Sequence, residues 1–361
     1  PERLPWLHRT ILQFRENRIP QKITYGYKGI RPRFGKLGPV SGFGAGLAYF
    51  RPSIRDDRFT VRSSITASPL HFFMFDGEFE ARRLAGNGFV NVLAFHRFSP
   101  AIDFYGVGST SSLSNLTSYS LEENNVQLTG GWFFGRRVRA GGILRYFTAN
   151  VGSTRRPDRP SAEQVFRGPE VPGLGGEAPY TEAGGFAELL ADRSLGAAGG
   201  GTRASVRWTQ LQSRGNTVPN FTRFEALAEH NVLFLNQQRA FVVRGRTVLN
   251  RPAAANAVPF YLQPQLGGPD DLRGFAGRRF YDNNLATATV EYQWQVLSGM
   301  WLAAFTDAGK VFPRWNQWSD RRLETSYGIG VRLGAPGIGS GRFDFAVSRE
   351  GTQFWIVFAT F

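Results

Sequence analysis

The chain has 361 residues, with 43 Gly, 32 Phe, 14% aromatic residues and a formal charge of +15 carried mostly by Arg; Lys occurs only at Lys22, Lys28, Lys36 and Lys310. The absence of Cys excludes disulfides and cysteine-built metal sites, and the absence of any run of 18 apolar residues excludes a helical membrane protein. Many Gly beside many aromatics suits numerous short strands, tight turns and aromatic girdles.

Pro1 follows no basic and apolar leader pattern, so any signal peptide is expected to have been removed. In residues 1–19, Leu4, Leu7, Ile11 and Phe14 recur at helical spacing with Arg9, Arg15 and Arg18 between them, and Pro20 stops the run. This segment is either a short amphipathic helix or a linker tail. From residue 20 to 361 the period is two, as in strands with one apolar face; Ala286, Ala288, Val290, Tyr292 and Trp294 alternate with Thr287, Thr289, Glu291 and Gln293. Such segments fall at 23–29, 41–50, 58–67, 72–83, 88–97, 119–133, 138–149, 180–193, 201–212, 220–234, 238–249, 284–296, 301–311, 325–333, 341–348 and 352–361, which makes sixteen strands. All 20 Pro lie outside them, as a closed ladder requires. With a periplasmic N-terminus, the long connections 98–118, 150–179, 250–283 and 312–324 all lie outside and the short ones all lie inside the cell envelope.

A soluble sandwich would need polar outer faces. Here one face of nearly every strand is apolar and the other carries Arg, Thr, Ser, Gln or Glu, which fits hydrocarbon outside and water inside. The expected fold is therefore an all-β, 16-stranded antiparallel transmembrane barrel. Its lumen should be lined by Arg62, Arg139, Arg145, Arg207, Arg244, Arg246 and Arg332, because a lipid-facing Arg at mid-bilayer costs roughly 2–4 kcal/mol. Basicity spent on a lumen argues against nucleic acid as a partner, and no nucleic-acid recognition module is visible. The run from Phe354 to Phe361 is apolar on both faces, so its inner face packs against something in the lumen or the strand is not fully zipped. Strand 23–29, with Ile23, Tyr25 and Tyr27, is short and holds two Gly. Few ladder bonds would secure it against Phe358 and Phe361 in a lateral seam.

The connection 250–283 contains Leu266-Gly-Gly-Pro-Asp-Asp-Leu-Arg273-Gly274-Phe275, and the next two strands carry Glu291 and Asp307. A three-residue turn at Ser298-Gly299-Met300 would set Glu291 opposite Asp307 on the inner face. Two facing carboxylates need a cation between them. Arg273 is the candidate, since its fork can serve both acids, with Gly274 for close approach and Phe275 for packing. The loop should then fold into the lumen and be latched there, with Arg279 and wall arginines as competitors for the acids. A plain structural ion pair is the alternative reading.

A long sixth external loop with an Arg-Gly-Phe tip, an inward Glu on the next strand, then Phe305-Thr-Asp307-Ala-Gly309 and a terminal Phe resembles the Omp85 superfamily of BamA- and TamA-type barrels. Pro32-Arg-Phe-Gly35, Ser41-Gly-Phe-Gly44 and Phe104-Tyr-Gly-Val-Gly108 agree in order. The resemblance implies an outer-membrane protein of a Gram-negative-type bacterium that inserts or translocates polypeptides, or lipids, through a seam between first and last strands. It implies no covalent chemistry and no cofactor. Expected partners are outer-membrane lipid and lipopolysaccharide, a polypeptide substrate and a periplasmic accessory protein. Members usually carry periplasmic POTRA domains, and residues 1–19 are too few to form one. The alternatives are a passive, weakly anion-selective porin, or a membrane anchor for an N-terminal or partner enzyme. His8, His71, His96 and His230 show no zinc spacing, and no nucleophile or phosphate-loop motif occurs, so the chain is expected not to be an enzyme.

Overall fold

The computed structural model describes residues 28–35, 37, 43–54, 58–168, 170–189, 201–215, 218–253, 258–319, 322–335 and 339–359. The N-terminal segment 1–19 and the seam residues Ile23, Tyr25, Tyr27 and Phe361 lie outside the described residues. The alternating segments form one antiparallel sheet of sixteen strands paired in chain order. They are β1 (Ile30–Gly35), β2 (Gly44–Ile54), β3 (Phe59–Ala67), β4 (Phe73–Leu84), β5 (Gly88–Phe104), β6 (Thr117–Phe134), β7 (Val138–Ser153) and β8 (Tyr180–Leu189). Next come β9 (Gly201–Ser213), β10 (Phe221–Phe234), β11 (Arg239–Pro252), β12 (Asn284–Leu297), β13 (Met300–Phe312), β14 (Glu324–Ala335), β15 (Gly339–Ser348) and β16 (Gly351–Ala359). Among the described residues no ladder joins β1 to β16, although the two edges approach one another. The barrel is nearly closed.

Period two sorts the side chains. Trp132, Trp208, Trp294, Tyr327, Ile329 and Phe354 project outward and are exposed, while Asp307, Ser326 and Asp344 on the opposite face are fully buried. An apolar exterior of this extent around a polar interior is a surface for hydrocarbon. At 17 and 18 residues β5 and β6 outrun the roughly 9–11 needed to cross a bilayer, so they rise beyond it. There Ile102, Phe104, Tyr119 and Leu121 pack with Ala162 and Val171 of the β7–β8 connection and with Phe260, Tyr261 and Tyr281 of the β11–β12 loop. The external connections thus pack into an apolar plug over the barrel mouth.

Three sequence expectations are corrected. Residues 28–29 are a turn in which Lys28 has φ 51° and Gly29 φ 87°, so no strand runs through them and the first described strand is Ile30–Gly35. The Pro-Arg-Phe-Gly motif thereby belongs to β1 and not to a loop. Prolines do enter strands: Pro32 sits in the edge strand, Pro52 and Pro100 sit at register shifts in β2 and β5, and Pro252 ends β11. Each is a place where a missing N–H is tolerated. The β5–β6 connection shrinks from 98–118 to 105–116 because both strands continue into the external plug.

Candidate functional site

The β12–β13 hairpin is closed by Ser298–Gly299 alone, with Leu297 opposite Met300 and Val296 bulged out of the ladder. That shifts the register expected from sequence. Glu291 faces Phe305, and Thr289 faces Asp307. The two acids are therefore diagonal neighbours on the inner face and not a direct pair, which eases their repulsion.

The described part of the β11–β12 loop, 258–283, enters the lumen on its own apolar core. Leu266, Leu272, Phe275 and Phe280 are fully buried against Val248, Leu285 and Val311 of the wall, and Phe275 packs on Phe280 with ring centroids 5.5 Å apart. A two-residue ladder, Gln265–Leu266 with Phe280–Tyr281, closes the loop's neck. This anchorage delivers Arg273 to the wall. Its Nε and Nη2 donate to Asp307 Oδ2 and Oδ1 at 3.0 and 2.7 Å, and its Nη1 donates to Glu291 Oε2 at 2.7 Å. Its backbone N–H also donates to Asp307 Oδ2, at 3.1 Å. The guanidinium carbon lies 3.3 Å from the centroid of the Phe305 ring. A planar fork satisfies this arrangement; a point charge cannot.

The remaining lone pairs are also used. Thr289 Oγ1 and Ser326 Oγ donate to Asp307 at 3.0 and 3.1 Å, and Arg332 donates from Nε and Nη2 to Glu291, both at 2.9 Å. Gly274 lies where a Cβ would come within 2.6 Å of Ser326 Cβ and 2.8 Å of the Val347 carbonyl, so only Gly fits. Its carbonyl accepts from Ser348 Oγ at 2.7 Å, and the Arg273 carbonyl accepts from Trp355 Nε1 at 2.7 Å. The loop tip is thus bonded to β12, β13, β15 and β16, and it abuts β14 at Ser326.

Asp344 on β15 is the acid that sequence reasoning missed. It is fully buried, 2.6 Å from Arg332 Nη1, 3.0 Å from Arg342 Nε and 3.8 Å from Arg273 Nη1. These are close ion pairs whose angles fall short of aligned hydrogen bonds. The signal was present in Arg342-Phe-Asp344-Phe, where period two puts the acid on the arginine's face. Trp355, an inward Trp on the last strand, was passed over because its indole bonds the tip of a distant loop, and Ser326 because its partner Asp307 lies across a strand pair whose register the sequence does not fix.

The other named residues are spread around the barrel. Arg279 does not compete for the acids; it binds Glu350 at 2.8 Å and Ser111 of the β5–β6 connection. Arg62, Arg139, Arg145, Arg207, Arg244, Arg246 and Arg332 share the face of Asp307 by register, and most meet an acid there. Arg139–Glu188 is 2.7 Å, Arg145–Glu182 3.0 Å, Arg244–Glu229 2.7 Å and Arg246–Asp271 2.9 Å. Arg62 lies 3.4 Å from Glu78, and Arg207 stands opposite Glu225 in the ladder. The lumen is a lattice of paired charges more than a bare cationic wall. Phe358 points outward and is 49% exposed. Two lumenal cavities flank the tip. One of about 450 Å³ is bounded by Glu291, Arg332, Trp301 and Val357. The other, of about 670 Å³, is bounded by Arg223, Arg246, Arg278 and Asp271.

Residues 192–354 match the Omp85 superfamily domain. The likeness to that superfamily is thus carried by this region of the 16-stranded barrel. The Arg273 site and every strand it bonds lie within or adjoin the matched Omp85 region. Among solved structures the fold is similar to BamA from Haemophilus ducreyi lacking POTRA domains 1–3, with a TM-score of 0.67 and 15% identity over 93% of this chain and 71% of that one. It is also similar to CdiB from Escherichia coli, with a TM-score of 0.58 and 12% identity over 91% of this chain. For CdiB from Acinetobacter baumannii the TM-score is 0.52, with 10% identity over 91% of this chain. The chain spans 61% and 58% of the length of the two CdiB proteins. At these identities the likeness is one of fold.

Proposed function

We propose that this Omp85 barrel sits in the outer membrane of a Gram-negative-type bacterium and inserts or translocates polypeptides through a lateral seam between β1 and β16. The observation that carries this reading is the open edge: fifteen consecutive strand pairs zip the sheet, and none joins its two ends among the described residues. Unpaired strand edges are templates for another chain's strand. The straight path through the lumen is obstructed by the latched loop and by the apolar plug at the external mouth, which weighs against a passive porin. No covalent step or cofactor enters this mechanism. Substrate, lipid, lipopolysaccharide and any periplasmic accessory protein would meet the barrel at the seam and its membrane-facing rim.

The chain has no Cys, so engineered pairs are unambiguous. Cysteine pairs placed between residues 30–35 and 352–358 should lock the seam when oxidised. Locked protein in liposomes should fail to insert an unfolded outer-membrane barrel substrate, and reduction should restore insertion. Insertion by the oxidised protein at the native rate would end the seam mechanism. Large steady single-channel conductance in planar bilayers would favour the porin.

A further inference from the structure

Among the described residues β16 has a ladder partner on one side only. From Gly351 to Ala359 it pairs with β15, and its other edge faces the seam. Outward Phe354 and Phe358 face hydrocarbon, and Trp355 turns inward opposite Asp344 and is buried. Its indole N–H ends on the carbonyl of Arg273, 2.7 Å away. The same residue holds Asp307 and Glu291 with its guanidinium. A buried indole N–H and a buried carbonyl each lose a partner if they separate, so neither moves without cost unless the other follows.

We infer that Trp355 is a positioning residue that couples the seam strand to the loop latch, so that the middle of β16 cannot leave the sheet while Arg273 stays docked. The function of this coupling rests on the seam proposed above; the coupling itself is a property of the barrel. Seam and latch then form one two-state element: with the tip seated, β16 is held against the inner wall, and with β16 displaced, the tip loses a hydrogen bond at its central residue. Ser348, which bonds the Gly274 carbonyl, is on β15 and leaves β16 free to move. Trp355 is the contact that reads the edge strand itself.

Hydrogen exchange of the full chain in lipid nanodiscs tests this. Trp355→Phe keeps an aromatic ring and removes the donor. It should speed exchange about three- to tenfold both in 352–358 and in the tip 270–276, and leave 88–104 unchanged. From the other side, Asp307→Asn should speed 352–358 in the native background and add nothing further once Trp355→Phe is present. Acceleration confined to 352–358, or additive effects of the two substitutions, would overturn the coupling. If Trp355→Phe fails to fold, the Asp307→Asn arm decides alone: unchanged exchange at 352–358 overturns the inference. The two readings fail separately. A seam lock that abolishes insertion while exchange stays uncoupled removes only this inference, and coupled exchange with insertion indifferent to the lock removes only the insertase.

Discussion

The two flanks of the seam are built on different principles. On the C-terminal flank, five strands converge on one loop tip, and Arg273, Arg332, Arg342, Glu291, Asp307 and Asp344 form a buried network with serine, threonine and indole donors around it. On the N-terminal flank, β1 is six residues long and interrupted by Pro32, and it is pinned from inside by Arg33 reaching Ser64 on β3 and Asp76 on β4, the latter at 2.7 Å. Among the described residues one flank is held by a dense ionic network centred on three buried acids, the other by a part-exposed ion pair beside its ladder. An edge that must yield and an edge that must report are thereby separated within one sheet.

Breaking the stiff flank should have the largest effect. Arg273→Ala strands three acids with only Arg332 and Arg342 beside them, and loss of one member of a buried ionic cluster costs about 3–5 kcal/mol. The heat-modifiable band shift of the folded barrel should move to markedly lower temperature, with Arg273→Lys intermediate because it keeps charge without the fork. An unaltered transition in Arg273→Ala would mean that the tip contributes nothing to the flank. Gly274→Ala comes next: its methyl would press on the Val347 carbonyl and on two serine Cβ atoms, a strain of about 1–3 kcal/mol. Protease should then cut the loop 258–283 faster, while the strand pairs β2 to β7 stay resistant.

The neck of the same loop should respond to pH. Burial pushes the Asp282 carboxyl up to about 6 from an ordinary 3.8, against one backbone hydrogen bond from Asn283. The neutral form is favoured in the docked loop. Its stabilisation is complete below the ordinary carboxylate value and is lost as pH rises through about 6. After correction for the intrinsic pH dependence of amide exchange, protection of the loop should be on the order of tenfold lower at pH 7.5 than at pH 5, and Asp282→Asn should flatten that corrected profile. A flat profile in the native chain would contradict this assignment. The smallest effect belongs to the loose flank. Arg33 is 39% exposed, so solvent screening limits its pair with Asp76 to less than about 1 kcal/mol. Arg33→Ala should raise the rate of cysteine cross-linking across the seam and leave the thermal transition in place. A large thermal shift would erase the contrast between the flanks.

The barrel was legible because its physics is local: alternation in segments such as 284–296 needs no knowledge of neighbours, and hydrocarbon outside makes the pattern one-signed. The segment expected at 23–29 is corrected only at its described end, where Lys28 and Gly29 turn and Pro32 is accepted at an edge. Prolines at bulges escaped a rule that holds only for regular ladders. Around Arg273, the partners Glu291 and Asp307 were within reach of sequence because both are inward acids on consecutive strands. Their mutual register was not, since it turned on Val296 bulging out. Asp344 and Trp355 lie 71 and 82 residues beyond Arg273 and touch it only through barrel curvature, which no short-range pattern encodes.

Gly274 has a consequence for how the molecule is made. The chain there is wedged between the inner wall and its own loop, with no room for one methyl group. A segment so enclosed is difficult to thread into a finished cylinder. Docking of the tip against β14 and β15 is thus easiest while the sheet is still open, before the earlier strands have wrapped. The final step of manufacture therefore falls at the same unsealed junction that the mature protein would later use.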